Sequence, residues 1–381
     1  MIQHTSKLPN VGTTIFTVMS QLAAKENAIN LSQGFPNFPS DPVLINLVQQ
    51  ALRENYNQYA PMPGAPILRE AIAEKMKYLY RRTYNLETEI VVTAGATQAI
   101  FTIISAFVRP KDEVIIFTPA YDCYAPAVEA NGGTVVPIQL KGTTFAVDWN
   151  EVRSKISSKT KMVLINTPHN PSGTVLSKKD MEEFSSILEN TNIILLSDEV
   201  YEHIIFDDAQ HQSAALFPKL AERAFITASF GKTFHNTGWK MGYCVAPKEL
   251  MDEFKKVHQF NVFSVNHPMQ IGIGNYLQDP QNYLQLPAFF QEKRDFFLNA
   301  IKDSRFTWKP SEGTYFQVLS YENITDELDT EFAKRLTREH KIASIPLSVF
   351  NTNKEDHKLL RFCFAKTEKT LAEAAKILNN I

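Results

Sequence analysis

From residue 89 onward, short β-rich runs alternate with helical segments, and this constrains the fold of the 381-residue chain more than any other feature. Residues 89–93, 113–117, 134–138, 161–166, 193–197, 223–229 and 242–246 read as strands, with helices expected near 96–108, 122–131, 148–156 and 178–189. Strands separated by helices require crossovers. The expected core is therefore α/β, with a mostly parallel seven-stranded sheet covered by helices on both faces.

Ahead of this region, helices are expected over 14–25, from Asp41-Pro42 to about Asn55, and over 66–80, joined by proline-stiffened loops at Asn30–Pro39 and Gln58–Gly64. Behind it, helices at 247–259 and 267–278 precede a long one over 283–303. The tail, 304–381, then reads strand, strand, helix, strand, strand, helix, without the parallel repeat. The expected organisation is an N-terminal arm and segment over 1–40 packing on a small domain, a large domain over 41–280, and the small α+β domain over 281–381.

Composition removes several function classes. A net charge of −2 gives no electrostatic reason to expect nucleic acid or an anionic membrane as partner. The start of the chain lacks the apolar stretch of a secretion signal, and no apolar run approaches the ~18 residues of a membrane span, so a cytoplasmic protein is expected. Cys123, Cys244 and Cys363 are widely spaced among apolar neighbours and read as reduced core residues. The histidines, from His4 to His357, show no ligand spacing with an acid nearby, so no metal is expected; His169 and His235 read as packed or solvent-facing.

In a sheet of this kind ligands sit beyond the carboxyl ends of the strands, so the residues at those ends belong together. Gly95-Ala96-Thr97-Gln98 opens a helix with small residues, either a plain helix start or an anion site. Tyr121 follows the next strand, as a ring at the mouth or in the core. Asn166-Thr167-Pro168-His169-Asn170-Pro171 is on its face a turn. Asp198 is a functional acid or an N-cap, with Tyr201 three residues on. Lys232 lies in Ser229-Phe230-Gly231-Lys232 at the end of a buried strand, with Lys240 eight positions later. A lysine held there is poorly solvated, a setting for an amine nucleophile, although a surface loop lysine fits the same letters. One ligand needs all of them: pyridoxal 5′-phosphate requires a phosphate cradle, a stacking ring, a carboxylate, donors for its 3′-oxygen and a lysine.

Together with Arg361-Phe362-Cys363-Phe364, these motifs resemble, in order and over essentially the whole chain, the class I aminotransferases of PLP fold type I. Asn30–Pro36, Gln58-Tyr59-Ala60-Pro61, Gly313–Phe316 and Ile345–Phe350 are similar to the methionine, kynurenine and glutamine aminotransferase branch.

The resemblance implies pyridoxal phosphate as cofactor, a homodimer, and amino and 2-oxo acids as substrates. It implies Lys232 as the internal aldimine and proton carrier, and Asp198 on the pyridinium nitrogen. Tyr201 and Asn170 would bond the 3′-oxygen, with Tyr121 against the ring. Ala96, Thr97, Gln98, Ser229 and Lys240 would stand around the phosphate, and Tyr59 would reach the partner's phosphate. Arg361 would clamp the substrate carboxylate, with Asn170 and Gly34 assisting. Phe16, next to Ile15, together with Phe35 and residues 261–264, would line the side-chain pocket.

Two departures stand out. Lys240 occupies a position where many class I members have arginine, and Thr97 one where kynurenine-type relatives carry tyrosine; the latter argues against kynurenine as main substrate. The apolar lining points to methionine, then glutamine and aromatic amino acids. A cysteine-S-conjugate β-lyase and a kynurenine–oxoglutarate aminotransferase are the alternatives. A PLP-binding regulator would need a basic DNA-binding domain ahead of the body.

Overall fold

The computed structural model describes residues 5–381; His4 and the first positions of the N-terminal arm lie outside the described residues. In chain order the strands are β1 (Ile29–Asn30), β2 (Ile90–Thr93), β3 (Glu113–Thr118), β4 (Thr134–Gln139), β5 (Thr160–Asn166), β6 (Ile194–Asp198), β7 (Ala224–Ser229) and β8 (Gly242–Val245). They continue with β9 (Phe316–Ser320), β10 (Ile342–Ala343), β11 (Ile345–Pro346) and β12 (Leu359–Cys363).

β2 to β8 form the seven-stranded sheet in the order β2-β8-β7-β6-β5-β3-β4. Its central strands are buried along nearly their whole length, which is why they read as unbroken apolar runs. β8 runs antiparallel to both of its neighbours. The segment between Ser229 and Gly242 holds only one short helix and a 3-10 turn, and it brings the chain straight back along β7. Among the described residues no helix is long and apolar enough to cross a membrane.

Helix starts follow their local chemistry. Asp41 accepts a hydrogen bond from the Val43 N–H at 2.6 Å, with Pro42 in the first turn. Ser177 and Asp180 close a capping box on the helix Lys178–Leu188. The long helix expected over 283–303 is instead two, Gln281–Leu284 and Leu286–Ala300. Pro287 stands in the first turn of the second; it has no N–H to donate and its ring crowds the preceding turn. In the tail, only β9 forms a full strand before Asp329, while Thr307 contributes an isolated bridge to Ser320.

Two small sheets complete the architecture. β11-β12-β9 is antiparallel and places Arg361 between Ile345 and Val318. β1 pairs with β10, Ile29 opposite Ile342, which fastens the N-terminal segment to the C-terminal part of the chain.

Candidate active site

The strand order reverses between β5 and β3, where a doubly wound sheet opens a crevice. A cavity of about 400 Å3 lies there, bounded by strand ends on one side and by Phe16, Gly34, Phe316 and Arg361 on the other.

One wall is the start of the helix Ala96–Phe107. Gly95 precedes it at φ +78°, a left-handed conformation that side chains rarely adopt, and Gly95, Ala96 and Thr97 line the cavity. The first N–H groups of such a helix have no partner within it. Lys240, at φ +54°, sends its Nζ to the same place: a Cβ on Gly95 would lie 3.6 Å from it. The close passage of β8 requires Gly242, where a Cβ would meet the Ala228 carbonyl oxygen at 2.6 Å and the Gly95 Cα at 3.0 Å. Ser229 and Thr237 add hydroxyls to this end of the cavity.

Lys232 stands on the one-turn helix Phe230–Thr233 that follows β7. Its Nζ donates to the Gly34 carbonyl at 3.1 Å and lies 5.7 and 5.5 Å from the ring centres of Tyr201 and Tyr315. The Tyr315 hydroxyl donates to the same carbonyl at 2.7 Å. Burial pulls the amine down to about 8, with the charges of Arg361 and Lys240 acting in the same direction.

Asp198 ends β6 and is 3% exposed. Burial raises its carboxyl to about 6, against hydrogen bonds from the Tyr124 hydroxyl at 2.5 Å and the Val200 N–H at 3.3 Å. Asn166 joins two loops: its Oδ1 accepts from the Asn170 N–H at 2.8 Å and its Nδ2 donates to the Asp198 carbonyl at 2.9 Å.

Arg361 is buried and lies flat on Phe316, its guanidinium carbon 3.8 Å from the ring centre, with Phe16 at 5.3 Å. One Nη donates to Asn170 Oδ1 at 2.6 Å and the other to the Ser32 carbonyl at 3.1 Å, while Nε has no partner among the described residues. Burial lowers its pKa to about 10, so it stays a cation at neutral pH. A buried guanidinium on the wall of a cavity, with more N–H groups than Asn170 and Ser32 take up, is suited to a planar carboxylate.

The cavity thus gathers Phe16, Gly34, Ala96, Thr97, Tyr121, Asn170, Asp198, Tyr201, Ser229, Lys232, Lys240 and Arg361. Gln98 does not join them: its Oε1 accepts from the Ala94 N–H at 3.0 Å and its Nε2 donates to Thr102 Oγ1 at 2.7 Å, so it braces the turn from behind. Tyr59 is 81% exposed and meets Phe263 edge-on at 5.4 Å, away from the cavity of its own chain. Residues 261–264 accompany it, and Phe35 lies under Lys366, so that of the expected side-chain lining Phe16 reaches the cavity, where Phe316, Val200 and Met241 join it.

Tyr124, Asn166 and Tyr315 were not singled out from the sequence, although Tyr124 stands one helical turn beyond Tyr121. His169 packs behind the cavity, hydrogen-bonded to Ser172 Oγ at 2.6 Å and the Pro119 carbonyl at 3.0 Å, and burial lowers it to about 4.

Comparison with known proteins agrees with this geometry. Residues 26–378 match the aminotransferase class I and II family. The chain is 48% identical over 377 residues to methionine aminotransferase of Escherichia coli, covering 99% of this chain and 98% of that one. It is 30% identical over 406 residues to human kynurenine–oxoglutarate transaminase 3, covering 98% and 89%. A crystal structure from Escherichia coli, described with a methionine aminotransferase function, superposes with a TM-score of 0.98 at 47% identity over 100% of both chains. A lysine, a carboxylate and an arginine converge on one crevice of a fold shared end to end with these relatives, and the chain belongs to the class I and II aminotransferases.

Proposed function

We propose that this aminotransferase uses pyridoxal 5′-phosphate to move the α-amino group of methionine, and next of glutamine or aromatic amino acids, to a 2-oxo acid in a ping-pong cycle. Lys232 carries the reading. Its amine, drawn down to about 8, shares one cavity with a buried carboxylate and a buried arginine.

The donor set fits the cofactor. The first turn of the helix Ala96–Phe107, with Ser229 and Lys240, offers N–H, hydroxyl and ammonium groups to a phosphate. Tyr121 offers a ring face, and Tyr201 and Asn170 offer donors to a phenolic oxygen. Asp198, anchored by Tyr124 and Val200, suits a protonated ring nitrogen. When bound, the cofactor supplies the electron sink that stabilises negative charge at the substrate Cα.

The remaining work falls to the chain itself. Arg361 binds the α-carboxylate and Asn170 holds the guanidinium in place, which fixes the orientation of the Cα–H bond. Lys232 Nζ, held at about 8 and so far more often unprotonated near neutral pH than an exposed lysine, accepts that proton and returns it during transfer. Phe16, Tyr121 and Phe316 limit water around these atoms. An unbranched thioether packs well against such aromatic faces, and the name of the Escherichia coli relative supports methionine. A side-chain carboxylate would lose its hydration here without a partner, at several kcal/mol.

The same reading includes a two-fold dimer in which Tyr59 serves the neighbouring subunit's phosphate; the exposure of Tyr59, Phe260 and Phe263 supports it. It also includes a division near residue 280 between a cofactor-bearing large domain and a small domain carrying Arg361. The test is kcat/KM for methionine, phenylalanine, glutamine and aspartate with 2-oxobutanoate as common acceptor. Methionine is expected to lead, and aspartate in front defeats the proposal.

A further inference from the structure

One ionisable group in the cavity has no part in the chemistry above. Asp122 follows Tyr121 and lines the same space as Phe16 and Arg361. It is half-buried, and among the described residues its carboxylate has no side-chain partner and accepts from its own backbone N–H. Arg361 does not neutralise it at contact distance, because the two Nη atoms are held by Asn170 and Ser32. Burial pushes the Asp122 carboxyl up, and the Arg361 guanidinium draws it back toward the ionised form. The cations on the cavity wall are Arg361, Lys232 and Lys240, of which the last lies beside Gly95 at the far end. All three have partners in the proposed reaction. None remains for a second acidic group.

We propose that Asp122 determines specificity, its negative charge excluding substrates with a side-chain carboxylate and confining both the amino donor and the oxo-acid acceptor to neutral or cationic side chains. This rests on the aminotransferase reading, because a ping-pong site takes amino acid and oxo acid in turn and one fixed charge then filters both. It separates glutamine from glutamate, which match in shape and differ in charge. It also makes 2-oxoglutarate and oxaloacetate poor acceptors, and 4-methylthio-2-oxobutanoate or phenylpyruvate good ones. Two like charges sharing one cavity of effective dielectric ~20 disfavour each other by a factor on the order of 30 or more.

With the holoenzyme and phenylalanine as donor, kcat/KM for 4-methylthio-2-oxobutanoate should exceed that for 2-oxoglutarate by on the order of 30-fold or more. Asp122→Asn should narrow this ratio about tenfold or more, and Asp122→Glu should retain it. A ratio unmoved by Asp122→Asn, or a wild-type protein that uses 2-oxoglutarate as readily as the neutral acid, overturns the proposal. A second measurement needs no variant: glutarate and pentanoate are titrated into wild-type holoenzyme and binding is read from the cofactor absorbance. Glutarate should bind the more weakly, and equal affinity overturns the proposal. Failure of the wild type to turn over methionine defeats the functional reading alone, because the titration still compares one carboxylate with two.

Discussion

Lys75 and Lys232 are both withdrawn from bulk water, yet their surroundings differ in kind. Lys75 Nζ has Glu202 Oε1 at 2.5 Å and the Tyr243 hydroxyl at 2.8 Å, and the Tyr80 hydroxyl donates to the other Glu202 oxygen at 2.5 Å. Burial alone would raise Glu202, but the adjoining Lys75 ammonium, together with His203 and the Tyr80 hydroxyl, outweighs it and holds the acid at about 2. Lys232 has a carbonyl and two aromatic rings, and no carboxylate in contact among the described residues. The first arrangement is closed, each charge answered by its neighbour, and it binds the helix Pro66–Tyr80 to β8 and to the segment after β6. The second is left incomplete. A buried amine with no carboxylate in contact among the described residues, sharing its cavity with an acid raised to about 6 and a buried arginine, is a site whose free energy falls when a ligand completes it.

The comparison breaks most sharply at Lys232. Lys232→Ala should reduce turnover on the order of 10^4- to 10^6-fold while the unfolding midpoint stays level or rises. Borohydride should fix cofactor to Lys232 in the native protein, and labelling at Lys240 instead would overturn the assignment. Lys75→Met reverses the pattern: it strands Glu202 as a buried unpaired acid and should cost about 3–5 kcal/mol in chemical denaturation. If Lys75→Met instead removed activity with no loss of stability, the two sites would not divide as described. The stabilising share of Glu202 is present above its unfolded pKa of 4.5 and is lost as pH falls through about 2.

A third experiment reads the incompleteness of the Lys232 site directly. A protonated amine is not a nucleophile, so the rate at which apoprotein captures pyridoxal phosphate should rise with pH and level off above about 8. A rise that continues to the ordinary lysine range near 10.5 would mean that burial does not act on this amine. The smallest expected effect is at Tyr124→Phe. Its hydroxyl opposes the burial of Asp198, so losing it should raise that acid further and weaken cofactor binding about tenfold. Unchanged affinity would leave Tyr124 with a packing role alone.

The main-chain plan and the charged members of the site were legible for one reason: both are written locally. Strand runs and their ends depend on neighbouring letters, so Asp198, Lys232 and the turn at Ala96 could be placed beyond the sheet before any contact was known. Tyr124 was not legible, because its meaning lies in one hydrogen bond to a residue 74 positions away. Gln98 sits in the right turn, but its side chain bonds to Ala94 and Thr102, an orientation that spacing does not report. The same holds for Phe35 and Phe263, apolar letters near the right motifs that pack elsewhere. The broken helix near Gln285 was legible in principle, since Pro287 lies in plain view, but apolar periodicity continues across it and masks the break.

The pairing of β1 with β10 has a consequence for how the protein is made. Arg361 rests on the Ser32 carbonyl 329 positions earlier, and Lys366 on the Phe35 carbonyl 331 positions earlier. A ribosome adding ~5–20 residues per second takes roughly 15–65 s to pass from one contact partner to the other. Throughout that interval Leu31, Gly34 and Phe35 have no C-terminal surface to dock on, and the substrate clamp does not exist. The α/β body, whose contacts are nearer in sequence, can form first. Under the proposed function, cofactor capture at the strand ends can therefore precede the ability to grip an amino acid.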